Sequence, residues 1–429
     1  MTAVEAAPTP ASTVPGGSCR FCGAPLTFTM VDLGKSPLCQ TMLSAEQLDE
    51  MEPFYPLRVQ VCGECSLVQV GEYVSPEEIF GEYAYFSSYS DSWLEHMRRY
   101  ADAMVERLGL GPGSQVVELA SNDGYLLQWF VARGIPSVGV EPAANVAAVA
   151  TERGIPTIVE FFGPELAERM VSDGLAADLV CGANVLAQVP DLNGFVSGIA
   201  TLLKPGGVTT IEFPSVFTLL DGNEFDTIYH EHFSYFSFTS VARIFAAHGL
   251  ELFDVEELPT HGGSLRIHGR HQGEGGEITE QARRMFAYEA ERGVDDLATY
   301  GAFGDRVEAV KRDLLSFLID ARRRGRTVAG YGAPGKGNTL LNYCGIRSDM
   351  LAYTVDRSPT KYGKYLPGTH IPVFQPDHIF ETRPDYVLIL PWNLKDEIMS
   401  QMAGIAAWGG RFVVPIPAVA VYDPAAVSP

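Results

Sequence analysis

Hydrophobic residues in this chain form short apolar runs that alternate with amphipathic segments along most of its length. The runs at 115–119 and 137–141 have the length of buried strands, and the segment between them has the period of an amphipathic helix. Strands that alternate with helices in this way predict parallel βαβ units. Before them, apolar residues recur at three- and four-residue steps and predict a helix within 75–110 (Trp93, Met97, Tyr100, Met104 and Leu108).

A second series of the same kind follows a long charged helical stretch that ends near Arg326. Strand-like runs lie at 327–331, 351–356, 384–393 and 409–417, and we predict that they belong to another parallel sheet. The chain has 429 residues, which exceeds the usual size of one compact core. We therefore expect two α/β domains.

Two cysteine pairs with the same spacing precede these domains. Cys19 and Cys22 form one CxxC knuckle and Cys62 and Cys65 form another, with 39 residues between the two pairs. Four thiolates suit tetrahedral zinc and leave no open coordination position, so the metal is predicted to be structural. The alternatives are four unrelated buried thiols or a redox pair, and duplicate spacing favours neither.

These patterns divide the chain into four parts. We predict an α/β fold with a small N-terminal zinc-binding module, a central Rossmann-like domain and a second, C-terminal Rossmann-like α/β domain. The predicted boundaries are a disordered tail at 1–17, the zinc-binding module at 18–74, the central domain at 75–259 and the C-terminal domain at 260–429.

The turn after the first strand of the central domain carries candidate cofactor chemistry. The strand ends at Glu118, a small polar turn runs to Gly124, and the second strand ends at Glu141, where such folds place an acid against a ribose. The turn lacks a GxGxxG string, and its acid and small residues suit S-adenosylmethionine better than a dinucleotide. A plain turn with an exposed acid is the alternative. We predict cofactor binding by Glu118, Ser121, Asn122, Asp123, Gly124, Glu141 and Asn184.

The C-terminal domain does contain G-x-G-x-x-G, as Gly330, Gly332 and Gly335, with Asp356 ending the next strand. A nicotinamide cofactor is therefore a rival hypothesis for this turn. Lys336 instead suggests a phosphate of another nucleotide, because a glycine turn that opens a helix offers backbone donors to an anion. Substrate-binding candidates in this domain are Lys336, Asn338, Asp356 and Lys361, and Lys364 is a further basic candidate.

The densest acid-base chemistry lies at 229–235, in YHEHFSY. A histidine can remove a proton from carbon beside a ketone, and a neighbouring carboxylate, Glu231, can orient its ring. A second metal site at His230, Glu231 and His232 and a set of satisfied interface side chains are the alternatives. The aromatic segment GEYAYFSSYS is either a lid that faces a polar ligand or a surface that packs against the next domain. Ser87 of this segment is a substrate-binding candidate.

Composition limits the partners and the compartment. A net charge of -22 disfavours nucleic acid and anionic membranes, and no apolar run approaches the length that spans a bilayer. Seven cysteines and an N-terminus without a signal-peptide pattern favour a reducing compartment, so a cytoplasmic protein is expected. A monomer is expected.

Several long motifs together resemble one family. They are the two CxxC pairs, ELASNDGYLL, GVEP, NVLAQVPDL, YHEHFSYFS, GYGAPGKGNTLLNYCGI and DRSPTKYGKYLPGTHIPV. With them the chain resembles the zinc-containing, S-adenosylmethionine-dependent sugar C-methyltransferases of antibiotic deoxysugar pathways, over nearly everything after residue 17. The resemblance implies that Tyr229, Glu231 and His232 line the reaction centre, with His232 as base and Tyr83 close to the sugar. It also implies that the C-terminal domain helps to hold the thymidine diphosphate (dTDP) of the substrate.

One position departs from this family. Many relatives are expected to have histidine at Gln188, and glutamine is neither an acid nor a base at neutral pH. Gln188 is therefore predicted to donate a hydrogen bond in catalysis. The expected reaction is methylation of a dTDP-linked 4-keto-deoxysugar at C-3, beside the ketone. The rivals are a bifunctional enzyme that also reduces the ketone with NADPH, and a non-catalytic zinc-organised binding protein.

Overall fold

The computed structural model describes residues 17–81 and 86–424. In this part of the chain the strands are β1 Phe28–Ser36, β2 Tyr55–Val61, β3 Val68–Val70, β4 Val116–Leu119, β5 Ser137–Val140, β6 Thr157–Ile158, β7 Ala177–Ala183, β8 Leu203–Pro214, β9 Ser234–Tyr235, β10 Leu250–Leu258, β11 Ser264–His271, β12 Val328–Tyr331, β13 Thr354–Val355, β14 Val373–Phe374, β15 Tyr386–Ile389, β16 Arg411–Val414 and β17 Ala420–Tyr422.

The α-helices of the same residues are α1 Pro76–Phe80, α2 Asp91–Leu108, α3 Leu127–Val131, α4 Ala144–Glu152, α5 Pro164–Ser172, α6 Leu192–Leu202, α7 Val216–Asp221, α8 Phe238–Ala247, α9 Glu280–Glu291, α10 Leu297–Gly301, α11 Phe303–Arg323, α12 Gly335–Cys344, α13 His378–Thr382 and α14 Lys395–Gln401. The segment predicted to be helical within 75–110 contains α1 and α2. The longer helix begins where the Ser90 side chain accepts from Trp93 N and ends at Gly109, whose φ is 62°.

The central sheet has the order β10-β11-β8-β7-β4-β5-β6. Its strands from β8 to β6 are parallel, and β10 and β11 extend it as an antiparallel hairpin. The parallel part confirms the Rossmann-like fold predicted from the alternating pattern. The carboxyl ends of β4, β5 and β7 meet at one edge, where such folds bind their cofactor. The sheet continues to His271, beyond the domain boundary predicted at 259.

The C-terminal sheet has the order β14-β13-β12-β15-β16-β17. Its strands are parallel except for β17, an antiparallel edge strand. The parallel pairing of β12, β15 and β16 confirms the second α/β domain. Its glycine turn joins β12 to α12.

The N-terminal sheet has the order β1-β2-β3-β9 and includes a strand from far along the chain. β9 pairs with β3 through Val68 opposite Tyr235 and Gln69 opposite Ser234. One apolar core joins this sheet to the C-terminal domain, and another joins the cysteine knuckles to the central sheet. The N-terminal module is therefore packed against both α/β domains. Among the described residues, every helix is too short or too polar to cross a bilayer.

Candidate active site

The four cysteines of the two knuckles converge on one point. Cys19 Sγ lies 3.6 Å from Cys65 Sγ, and Cys22 Sγ lies 3.5 Å from Cys62 Sγ. All four sulfur atoms lie within 4.8 Å of one another. Zinc–sulfur bonds of about 2.3 Å in a tetrahedron place the sulfurs about 3.8 Å apart, so this donor set fits zinc, and the separation is too long for a disulfide.

A hydrogen bond supports the cysteine cluster from its own sheet. Gln69 Nε2 donates to Cys19 Sγ at 3.2 Å, and its Oε1 accepts from Arg20 N at 3.0 Å. Such a donor stabilises a metal-bound thiolate and fixes its direction. Gln69 lies on β3, opposite Ser234 of β9. The pairing of β3 with β9 therefore connects the cysteine knuckles to the segment that follows the histidines.

The turn after β4 has an unusual backbone and tight packing. Ala120, Asn122 and Gly124 have φ angles of 57°, 47° and 79°. These angles lie in the left-handed region, which residues other than glycine seldom adopt. A Cβ on Gly124 would lie 2.3 Å from Ile155 Cδ1, so only glycine fits there. Glu141 closes the turn, since its carboxylate accepts from Asn122 N and Ala143 N, both at 2.9 Å.

Several buried polar atoms around this turn have no hydrogen-bond partner among the described residues. They are both carboxylate oxygens of Glu118, Ser121 Oγ, Asp123 Oδ1 and Asn184 Oδ1. Burial raises the pKa of Glu118 well above its usual value, and it also raises that of Glu141. Buried polar groups are normally satisfied, so these atoms fit a polar ligand at the carboxyl ends of β4 and β7.

The segment 86–90 lies on the turn after β4, the candidate cofactor turn. Ser87 N donates to Asn122 Oδ1 at 2.9 Å, and Ser88 Oγ donates to Asp123 Oδ2. Ser87, predicted to bind substrate, thus contacts the cofactor turn through its backbone. Tyr83, predicted to lie near the sugar, falls outside the described residues.

The candidate base, His232, is held by a backbone carbonyl. Its Nδ1 lies 3.2 Å from Thr227 O, and its ring centroid lies 4.2 Å from that of Tyr229. A carbonyl accepts only, so the bond assigns the proton to Nδ1 and leaves Nε2 as a base. Burial lowers the pKa of His232 to about 4, with His261 and Lys336 adding to the effect. The expectation that Glu231 orients this ring was wrong, because Thr227 does so.

Glu231 points instead towards the N-terminal module. Cys39 Sγ donates to Glu231 Oε1 at 3.4 Å, and burial raises the pKa of Glu231 to about 7. His230 also faces this module, with Nε2 3.1 Å from Pro56 O. The three consecutive side chains therefore contact different partners. Within the described residues, the cysteine cluster is the group of three or more ligands close enough to hold one metal ion.

Gln188 lies beside this segment. It ends a short 3-10 helix, and the adjacent Ala187 accepts from Phe233 N through its carbonyl at 2.7 Å. This backbone bond links the loop after β7, which also carries Asn184, to the residues directly after His232. The carboxyl-end edge of the central sheet and the segment of the candidate base are thus joined.

His261 lies between these two regions and was not singled out from the sequence. Its Nε2 lies 3.5 Å from Asn184 Nδ2, and its ring packs edge-on against Trp93 with 5.2 Å between centroids. Its φ is 57°, and Gly262 and Gly263 follow with φ of 104° and 142°. Burial lowers its pKa to about 4. The HGG string was the available signal, since two glycines beside a histidine mark an unusual backbone turn.

The glycine turn of the C-terminal domain is filled by protein atoms. A Cβ on Gly332 would lie 2.4 Å from Pro391 Cδ, and one on Gly335 would lie 2.8 Å from Cys39 Sγ. Asp356 accepts from Ala333 N at 2.7 Å and pairs with Lys361 at 3.3 Å. These contacts explain the glycines and the acid by packing, and they do not favour a dinucleotide there.

The remaining substrate candidates of this domain differ in their surroundings. Lys336 Nζ donates to Asn393 Oδ1 at 2.9 Å and lies 4.6 Å from the centre of the Trp392 ring. Both side-chain polar atoms of Asn338 are buried without a partner among the described residues. Lys361 Nζ donates to Ala333 O at 2.9 Å, and Lys364 is exposed.

Comparison with known proteins gives matches along the whole described chain. Three family profiles match the chain: a zinc binding domain at residues 19–80, a methyltransferase domain at residues 93–255 and a C-methyltransferase C-terminal domain at residues 259–417. The chain is 38% identical to C-methyltransferase NovU of Streptomyces niveus over 403 residues, which covers 94% of this chain and 96% of NovU.

Solved structures match less than half of the chain. The PH0226 protein of Pyrococcus horikoshii is 14% identical with a TM-score of 0.36, covering 47% of this chain and all of that chain. Magnesium protoporphyrin IX methyltransferase of Synechocystis, solved with S-adenosylmethionine, is 16% identical with a TM-score of 0.32, covering 45% of this chain and 88% of that one.

Proposed function

The chain belongs to the family of S-adenosylmethionine-dependent C-methyltransferases that includes NovU, and on this premise we propose that it methylates C-3 of a dTDP-linked 4-keto-deoxysugar. The observation that carries the proposal is the position of His232. Its proton-bearing Nδ1 is bound to Thr227, and it lies in the segment bonded to the loop that carries Asn184. A base beside a methyl donor is what C-methylation next to a ketone requires.

His232 takes the proton from the carbon next to the ketone through Nε2, and the electron pair of that C–H bond forms an enolate. A neutral histidine is needed for this step, and the lowered pKa keeps the ring neutral at neutral pH. The protonated His232 ring then lies beside the negatively charged enolate oxygen. The attraction between the two charges offsets the cost of charging a buried ring.

Tyr229 and Gln188 are proposed to donate hydrogen bonds to the enolate oxygen. Tyr229 lies against the His232 ring, and Gln188 lies on the loop bonded to Phe233. S-adenosylmethionine supplies the methyl group, already activated by its sulfonium. The enolate carbon bonds to that methyl as the bond to sulfur breaks, and the ketone re-forms. Catalysis then rests on positioning and on oxyanion stabilisation.

The cofactor is proposed to occupy the edge formed by the turn after β4, Glu141 and Asn184. The unpartnered atoms of Glu118, Ser121 and Asp123 support this placement. For the nucleotide, Asn338 and Lys361 of the C-terminal domain remain our candidates, while Lys336 is already surrounded by protein groups. A sugar nucleotide of this kind belongs to deoxysugar and antibiotic biosynthesis.

The test is product analysis after incubation with S-adenosylmethionine and a panel of dTDP-linked keto-sugars. We expect the mass of one keto-sugar nucleotide to rise by one methylene unit, and NMR of the product to place the new methyl on C-3. Methylation of C-5, the other carbon beside the ketone, would correct the position. A cofactor that binds while every panel member stays unmethylated would overturn the substrate class.

A further inference from the structure

Four side chains form a second polar group beside the candidate reaction centre. We name it the Glu224 cluster, and it consists of Glu224, Asp226, Lys336 and Trp392. Glu224 and Asp226 belong to the 3-10 turn before the histidine segment, and Lys336 lies in the first turn of α12. The side chains of Glu224 and Asp226 are deeply buried, with 5% and 0% of the residue exposed.

Part of this cluster is satisfied from within. Asp226 Oδ2 accepts from Trp392 Nε1 at 2.8 Å, and Lys336 donates to Asn393. The ammonium of Lys336 also interacts through space with both carboxylates. These contacts fix the ring of Trp392 between an acid and a lysine.

The rest of the cluster lacks hydrogen-bond donors. Asp226 Oδ1 has no hydrogen-bond partner among the described residues, and the influences on the Glu224 carboxylate are burial and the charges of Lys336 and Asp226. Burial raises the pKa of Asp226 to about 6 and that of Glu224 to about 8, although Lys336 opposes both shifts. A buried carboxylate without donors is costly, so these oxygens fit a ligand that brings donors of its own.

The cluster adjoins the proposed reaction centre. A Cβ on Gly262 would lie 2.7 Å from Glu224 Oε1 and 2.9 Å from Trp392 Cη2, so the backbone beside His261 passes directly over the cluster. The charge of Lys336 reaches both His261 and His232. The 3-10 turn of the cluster also carries Thr227, whose carbonyl holds His232, so the cluster adjoins the candidate base through the chain itself.

We propose that Glu224 and Asp226 bind a hydrogen-bond-donating substituent of the keto-sugar ring, a hydroxyl or an ammonium group, and thereby select the substrate. This inference rests on the proposed keto-sugar methylation. It also assigns Lys336 to the sugar pocket, since its ammonium already interacts with the acids Asp226 and Glu224, which a diphosphate would meet as well. Trp392 supplies the apolar surface on which a sugar ring packs.

The experiment compares three dTDP-linked 4-keto-sugars that carry hydroxyl, amino or hydrogen at the ring carbon next to the methylated one. Methyl transfer is measured for the wild type, for Glu224→Gln and for Glu257→Gln, a matched change at an exposed glutamate of β10. Leaving a buried hydrogen-bonding group of the substrate unsatisfied corresponds to about tenfold or more in affinity. We expect Glu224→Gln to raise KM at least about tenfold for the substrate that carries the preferred donor.

For the substrate with hydrogen at that position, Glu224→Gln is expected to leave KM within about threefold, and Glu257→Gln to leave all three substrates unchanged. Equal losses on all substrates, or no loss, would overturn the inference. The wild type gives a check that needs no variant: it should prefer a donor-bearing substrate over the deoxy analogue by about tenfold, and equal use of both refutes the assignment. If no substrate is methylated although S-adenosylmethionine binds, the proposed function itself fails.

Discussion

Replacing His232 with asparagine separates its role as a base from its role in packing. The asparagine amide keeps a donor near the position of Nδ1, which lies 3.2 Å from Thr227 O, and removes Nε2. Loss of the ring contact with Tyr229, at 4.2 Å between centroids, costs about 1 kcal/mol, or roughly fivefold in rate if it acts entirely on the transition state. Loss of a general base costs about 10²- to 10⁴-fold.

The two effects are separated by the rate at which the proton beside the ketone exchanges with deuterium. Exchange is followed by NMR in D2O with S-adenosylhomocysteine bound, so that methyl transfer does not contribute. We predict a loss of at least about 100-fold for His232→Asn, with cofactor affinity unchanged within about twofold. His230→Asn is the matched control, because His230 also binds a carbonyl, Pro56 O, but faces the N-terminal module. Exchange in His232→Asn within about fivefold of the wild type would refute the role of His232 as base.

Three further predictions concern the metal, the cofactor turn and the histidine itself. Cys62→Ser should lower the zinc content measured by atomic absorption and reduce methyl transfer, because the cysteine knuckles and the histidine segment share the N-terminal sheet; full zinc content would contradict this. Gly124→Ala should weaken S-adenosylmethionine binding, measured by calorimetry, by at least about tenfold, because the new Cβ would lie 2.3 Å from Ile155 Cδ1. Gly134→Ala is the control: Gly134 has a similar φ of 70° but no atom near its Cβ position, so this variant should bind the cofactor as the wild type does. Because burial lowers the pKa of His232 to about 4, its ring should stay neutral at pH 5.5 and charge only as the pH falls towards 4; histidine NMR showing half-protonation at pH 6 or above would contradict this.

Local patterns were sufficient to predict the cysteine cluster and the strand-turn-helix that begins with β4. Cys19 and Cys62 belong to knuckles with fixed spacing, and Glu118 and Gly124 belong to a strand-turn-helix whose period is visible over a few residues. The spacing within each knuckle and within the turn is local, so it is a direct guide to the geometry, and the repeated spacing of the knuckles indicates that the two pairs act together.

Long-range contacts could not be predicted in this way. The pairing of β9 with β3, the bond from Cys39 to Glu231 and the position of Glu224 beside Gly262 join residues that are distant in sequence. Lys336 shows the consequence: its glycine-rich turn suggested a phosphate site, and only the tertiary structure places the buried acids Asp226 and Glu224 where they interact with its charge.

The most direct test of the account is the fate of a carbon-13 methyl group on S-adenosylmethionine during one turnover with a dTDP-linked 4-keto-sugar. The account predicts an NMR coupling between the labelled methyl and the ring carbon next to the ketone, and loss of that product in His232→Asn. A labelled methyl on oxygen or nitrogen of the sugar would contradict carbon methylation through an enolate.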